Sequence, residues 1–135
     1  MKLFQYIRKI CVPSLIIISL FSCKKDKVDN NIVYGTINIA VSVKHHSWPV
    51  PNIPVYLKRN TIEFPGTDTS LYELKTFADS DGKAGFEKLH PGKYYLFTSG
   101  YDYYFGADVT GSTPIDLTNH TSVNEPVQVI LMVSE

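Results

Sequence analysis

The chain is short of cysteine, of tryptophan and of charge in excess of either sign. Its 135 residues hold two cysteines, one tryptophan, and 13 basic against 13 acidic side chains. Both cysteines, Cys11 and Cys23, lie in the first 23 residues, so no disulfide framework can staple the remainder, and a domain there stands on its apolar core alone. Balanced charge, with no basic run longer than Lys24-Lys25 or Lys58-Arg59, excludes an electrostatic nucleic-acid binder, which needs clustered lysine and arginine. Catalytic signatures are missing too. There is no G-x-S-x-G, H-E-x-x-H or C-x-x-C and no glycine-rich phosphate loop, and the expectation is a protein that is not an enzyme and carries no cofactor. Long apolar runs are also absent. The longest, Ile10 to Phe21, makes about 18 Å of helix against a hydrocarbon core of about 30 Å, too little for a stable span.

That short run has a different use. Lys2, Arg8 and Lys9 precede it and small residues close it, the order of a secretory signal peptide over residues 1–22. Leu20-Phe21-Ser22-Cys23 resembles the lipobox of bacterial lipoproteins, although Phe21 stands where a smaller residue is usual. The resemblance implies diacylglyceryl transfer to the Cys23 thiol, cleavage before Cys23 and acylation of the new amino group. At about 0.8 kcal/mol per buried methylene, two or three acyl chains make a lasting membrane anchor. Removing residues 1–22 takes away three basic and no acidic groups and leaves ten against 13, a net charge of −3. Residues 23–31, Cys23 followed by a polar stretch of Lys, Asp and Asn, read as a flexible tether. The implied location is the bacterial cell envelope, most naturally the outer membrane, with its periplasmic and surface faces both open.

From Ile32 onward the hydrophobic period is two. Val33, Ile37, Ile39, Val41 and Val43 alternate with Tyr34, Thr36, Asn38, Ala40 and Ser42, as a half-buried strand does, with Gly35 suited to a bulge. Three prolines in Trp48–Pro54 exclude a central strand there. Further strands are expected over Ile53–Lys58, Leu71–Phe77, Lys83–Leu89, Lys93–Ser99 and Pro126–Val133. Phe64–Asp68 is a loop, His90-Pro91-Gly92 a turn, and Asp79-Ser80-Asp81-Gly82 a hairpin turn, since glycine accepts the positive φ required. No segment after residue 23 has helical periodicity. Residues 32–135 are therefore expected to form one all-β domain, an antiparallel sandwich of about seven strands.

Within it, Thr76–Leu96 followed by Gly100-Tyr101 carries a Thr-containing strand, D-x-D-G at Asp79–Gly82, an aromatic strand and L-x-P-G-x-Y at Leu89–Tyr94. This resembles the central signature of carboxypeptidase regulatory-like domains, and Pro51–Leu57 resembles their second strand. The likeness extends over about residues 33–133. It implies a seven-stranded, Ig-like or transthyretin-like (prealbumin-like) sandwich without catalysis of its own, in a stand-alone, lipid-anchored form. Two enzyme families with this or a related sandwich do not fit. Hydroxyisourate hydrolases end in Tyr-Arg-Gly-Ser, whereas this chain ends Leu131-Met132-Val133-Ser134-Glu135. Intradiol dioxygenases bind iron through two tyrosines and an H-x-H pair, a spacing absent here.

The remaining candidates are weighed by geometry. Asp79-Ser80-Asp81-Gly82 opens like a calcium loop, but Lys83 and His90 occupy the fifth and twelfth positions, where oxygen ligands are required. His45 and His46 would point to opposite faces of a strand; beside Trp48 and the prolines they are expected in a loop, singly facing solvent, and no metal site is expected. Asn119-His120-Thr121 matches a glycosylation sequon by chance. The aromatic excess is local, with Tyr94, Tyr95, Phe97, Tyr101, Tyr103, Tyr104 and Phe105 inside twelve residues. Strand alternation sends about half of the first group inward. Tyr101, Tyr103, Tyr104 and Phe105 follow Gly100, where rings should be exposed and suited to protein contacts or to sugar stacking. The expected partners are the membrane, through Cys23, and another envelope protein that meets this loop or a free strand edge. A polysaccharide on a tyrosine platform is the alternative.

Overall fold

A computed structural model describes residues 37–120 and 124–135. The signal segment, Cys23, the tether, the part of the first predicted strand at 33–36 and Thr121 of the sequon lie outside the described residues. The described residues belong to a unit spanning Ile32–Glu135. They form eight strands and no α-helix: β1 (Ile37–His45), β2 (Trp48–Pro49), β3 (Pro54–Arg59), β4 (Leu74–Phe77), β5 (Lys83–Leu89), β6 (Lys93–Asp102), β7 (Ala107–Asp116) and β8 (Val127–Val133). The chain is all-β.

Two sheets share the strands. In one, β1 pairs with β8 along one edge and with β5, then the short β2, along the other; in the second the order is β4-β3-β6-β7. Alternation fixes what each sheet buries. Ile37, Ile39, Val41 and Val43 of β1 meet Val55, Leu57 and Leu96 of the second sheet in one apolar cluster, joined by Leu131 and Val133 of β8. A single core between two facing sheets makes the fold sandwich-like. The closing seam on one side is Thr110 of β7 against Ser134, which exchange two backbone hydrogen bonds of 2.9 Å.

Several expectations need correction. The pairing is not uniformly antiparallel, because β1 and β8 run parallel from Ile39↔Val127 to His45↔Val133. The long return from the end of β7 brings β8 alongside β1 in the same direction. Asp79–Gly82 is not a hairpin turn. β4 pairs with β3 and β5 with β1, so the turn is a corner that carries the chain from one sheet to the other. The strand expected over Leu71–Phe77 is shorter, since a 3-10 turn at Thr69–Leu71, capped by the Asp68 side chain on Ser70 N, precedes β4. β7 was not expected at all, and Trp48–Pro49 forms a two-residue edge pairing with Lys44 and His45.

Two local features shape the ends. In β5, Phe86 and Leu89 both point inward, so the strict period of two breaks. A register shift opposite Ile37 and Ile39 absorbs the extra residue, Lys88 takes φ +57°, and Asn38 Oδ1 accepts from Lys88 N at 3.0 Å. This is a β-bulge. In β6, Tyr94 through Thr98 are all buried. Tyr94 and Leu96 face the core, and Phe97 on the other face lies under Tyr72 and Phe64 of the loop between β3 and β4. Tyr72 is held over the sheet by its hydroxyl, which donates to Gly66 O at 2.8 Å.

Candidate functional site

β6 and β7 form the one tight hairpin of the second sheet, and its turn, Tyr103 to Gly106, is built by Asp102. The Asp102 carbonyl accepts from Gly106 N at 2.7 Å. Its carboxylate Oδ1 accepts from Tyr104 N at 2.9 Å and Phe105 N at 3.4 Å. Gly106 supplies the φ of +72° that lets the chain turn back. The backbone N–H groups of the turn are thereby satisfied from inside, and the aromatic side chains are turned outward.

The second carboxylate oxygen goes elsewhere. Asp102 Oδ2 lies 3.0 Å from His45 Nδ1, and Asp102 and His45 are respectively 1% and 2% exposed. A buried carboxylate is tolerated only when its oxygens are occupied; here one oxygen holds the turn and the other meets an imidazole nitrogen from the far sheet. The pair therefore fastens the end of β6 to the end of β1. The expectation of a solvent-facing His45 fails, because β1 continues to His45 and its parity points that side chain inward.

His46 does not oppose His45, as it would on a continuing strand. It takes φ +54°, and the two rings stack at 4.6 Å with 18° between their planes. Phe105 packs edge-on against both, at 4.6 Å and 5.5 Å. Trp48, reached after the two-residue turn from β1, stacks on Tyr104 at 5.2 Å and 24°. Tyr104 meets Phe105 edge-on at 4.9 Å, and Tyr101 meets Tyr103 edge-on at 5.0 Å. Tyr103 is 83% exposed, Tyr104 66% and Trp48 53%; Tyr101 and Phe105 are also exposed.

The structure thus gathers the four expected residues, Tyr101, Tyr103, Tyr104 and Phe105, at one end of the domain, with Tyr101 still on β6 and the rest in the turn. It adds Trp48, His46 and the buried His45–Asp102 pair, which the sequence reading left separate. The only signal for them was adjacency of His45, His46 and Trp48 to one another. Among the described residues no cluster of three or more metal-ligating side chains occurs. No nucleophile is hydrogen-bonded to His45 among the described residues.

β1 runs toward this end. Its nine residues, at about 3.3 Å each, carry the chain about 26 Å from Ile37 to His45. The aromatic end is therefore opposite the Ile37 end of β1. Comparison with protein-family models, with curated protein sequences and with solved structures returns no match.

Proposed function

We propose that this is a non-catalytic, lipid-anchored β-sandwich module of the bacterial cell envelope that binds another envelope protein through its aromatic end. The lipid on Cys23 is the membrane anchor, and residues 23–31 are the tether. The fold reading is a transthyretin-like domain, supported by two facing sheets whose longer strands number seven when the two-residue β2 is set aside.

The observation that carries the binding reading is the arrangement of the exposed rings. Trp48 and Tyr104 cover one face of each other, and Tyr101 meets Tyr103 at 75°. A sugar platform needs rings lying in one plane with free faces. This cluster instead offers edges, hydroxyls and an indole in several directions, on a base fixed by His45 and Asp102. Rigid Trp and Tyr anchors of that kind dominate protein–protein hot spots.

The test uses the intact chain in its host. A photo-cross-linking amino acid in place of Tyr103 should yield a discrete protein adduct, and Trp48→Ala or Tyr104→Ala should reduce it at least about tenfold, the loss of a hot-spot residue. Cys23→Ala should abolish acyl labelling and release the chain from membranes. No adduct, together with a polysaccharide gel retardation that Tyr103→Ala and Tyr104→Ala remove, would replace the protein reading with glycan binding.

A further inference from the structure

The opposite end of the domain carries chemistry of another kind. Where β3 ends, β5 ends and β6 begins, a cleft of about 220 Å³ is lined by Arg59, Asn60, Lys88, His90, Gly92 and Tyr94 among others, with no carboxylate in its wall among the described residues. From this cleft we propose a second site, one that binds a phosphate group.

Three elements deliver the donors. Arg59 closes β3, Lys88 sits on the bulge of β5, and His90 follows at the turn into β6. The bulge matters because it aims Lys88: Asn38 Oδ1 holds the Lys88 amide and the left-handed backbone there breaks the alternation of the strand. Neither Arg59 nor Lys88 has a carboxylate partner among the described residues. The acids nearby are engaged elsewhere. Glu73 accepts from Lys58 Nζ at 2.7 Å and from the Arg59 amide at 2.9 Å. Asp116 accepts from the Thr118 hydroxyl at 2.6 Å and its amide at 3.0 Å.

Arg59 and Tyr94 are cross-strand partners of β3 and β6, and both line the cleft. Tyr94 is itself fixed, its hydroxyl donating to His90 O at 2.6 Å. Arg59, Lys88 and His90 line one cleft from three elements, and a guanidinium fork, an ammonium and an imidazole together suit a tetrahedral oxyanion, whose oxygens accept from several sides. A flat carboxylate would use the fork and leave the ammonium unmatched. The domain beyond residue 22 is acidic overall, so this pair of cations is a local feature and no consequence of general basicity.

The position suggests the source. Leu89, which also lines the cleft, pairs with Ile37, so the cleft lies at the Ile37 end of β1. On the lipid-anchor reading a phospholipid headgroup supplies the phosphate; a soluble phosphate ester is the other source. The site itself rests on neither the anchor nor the aromatic end.

The experiment is an NMR titration of the full chain in zwitterionic micelles with inorganic phosphate, against chloride at matched ionic strength. Amides of Lys88, Leu89, His90 and Gly92 should shift saturably with phosphate alone. Arg59→Gln combined with Lys88→Asn should weaken binding about tenfold or more. Asn is chosen at 88 because it tolerates the left-handed backbone. Shifts unchanged in the double variant, or equal with chloride, would overturn the proposal. Given phosphate binding, broadening of the same amides on phosphatidylglycerol nanodiscs, relieved by phosphate, assigns the headgroup. Its absence assigns a soluble ester.

Discussion

Two aspartates, Asp79 and Asp102, close turns by the same means and differ in what surrounds them. Asp79 Oδ1 accepts from Asp81 N and Lys83 N, each at 2.9 Å, in open solvent. Those two backbone donors hold its carboxyl below its ordinary value near 3.8. Asp102 makes the corresponding bonds inside the domain, where solvent cannot replace them, and needs His45 on its other oxygen. The exposed case has a pH signature. A folded-state value below the unfolded one contributes stability above the unfolded value, and that contribution is lost as pH falls through the folded one. Asp79→Asn keeps the acceptor and removes the titration. Between about pH 5 and pH 2 the urea midpoint of the variant should fall less steeply than that of the parent. Parallel curves would assign the acid sensitivity to Asp68, Glu73 or Asp116, whose carboxyls are also lowered.

At the scale of the elements, β7 decides whether the sheets are joined. It is an edge strand, which is why Pro114 is tolerated within it. Gly111 lets the backbone of β8 come close: a Cβ there would collide with the Met132 carbonyl oxygen. Gly111→Ala must push β8 away and break the paired bonds between Thr110 and Ser134. It should cost about 1–3 kcal/mol in urea unfolding, the range for an overpacked site. An unchanged midpoint would mean that the seam contributes nothing. The same features hid β7 from a reading of the sequence. Gly111, Pro114 and three Ser or Thr residues look like a loop, and the inward Val109 and Ile115 are too far apart to declare a period. β1 and β5 were legible because their apolar residues alternate without interruption, or nearly so. The aromatic turn was legible from Gly100 and the density of rings. The His45–Asp102 pair was not, because the partners are 57 positions apart and only the closure of two sheets brings them together.

Among the described residues the β domain has one core and two chemically distinct ends, about one strand length apart. The aromatic end is tied to that core by a buried pair that joins the last residue of β1 to the last of β6, so it should not melt before the rest. The single tryptophan makes this measurable. Trp48 lies at that end and stacks on Tyr104, so its fluorescence reports the end, whereas far-ultraviolet circular dichroism reports the strands throughout. In the parent chain the two urea transitions should share one midpoint, as a two-state domain requires. Asp102→Ala removes the acceptor of two turn amides and leaves the His45 imidazole buried without its partner, a loss of about 1–3 kcal/mol. Part of that loss falls on the turn alone. The fluorescence transition should therefore move to lower urea than the dichroism transition, and binding at the aromatic end should weaken although every exposed ring is still present. Coincident midpoints in Asp102→Ala would instead make the pair a general stabiliser of the core, with no particular hold on the aromatic end.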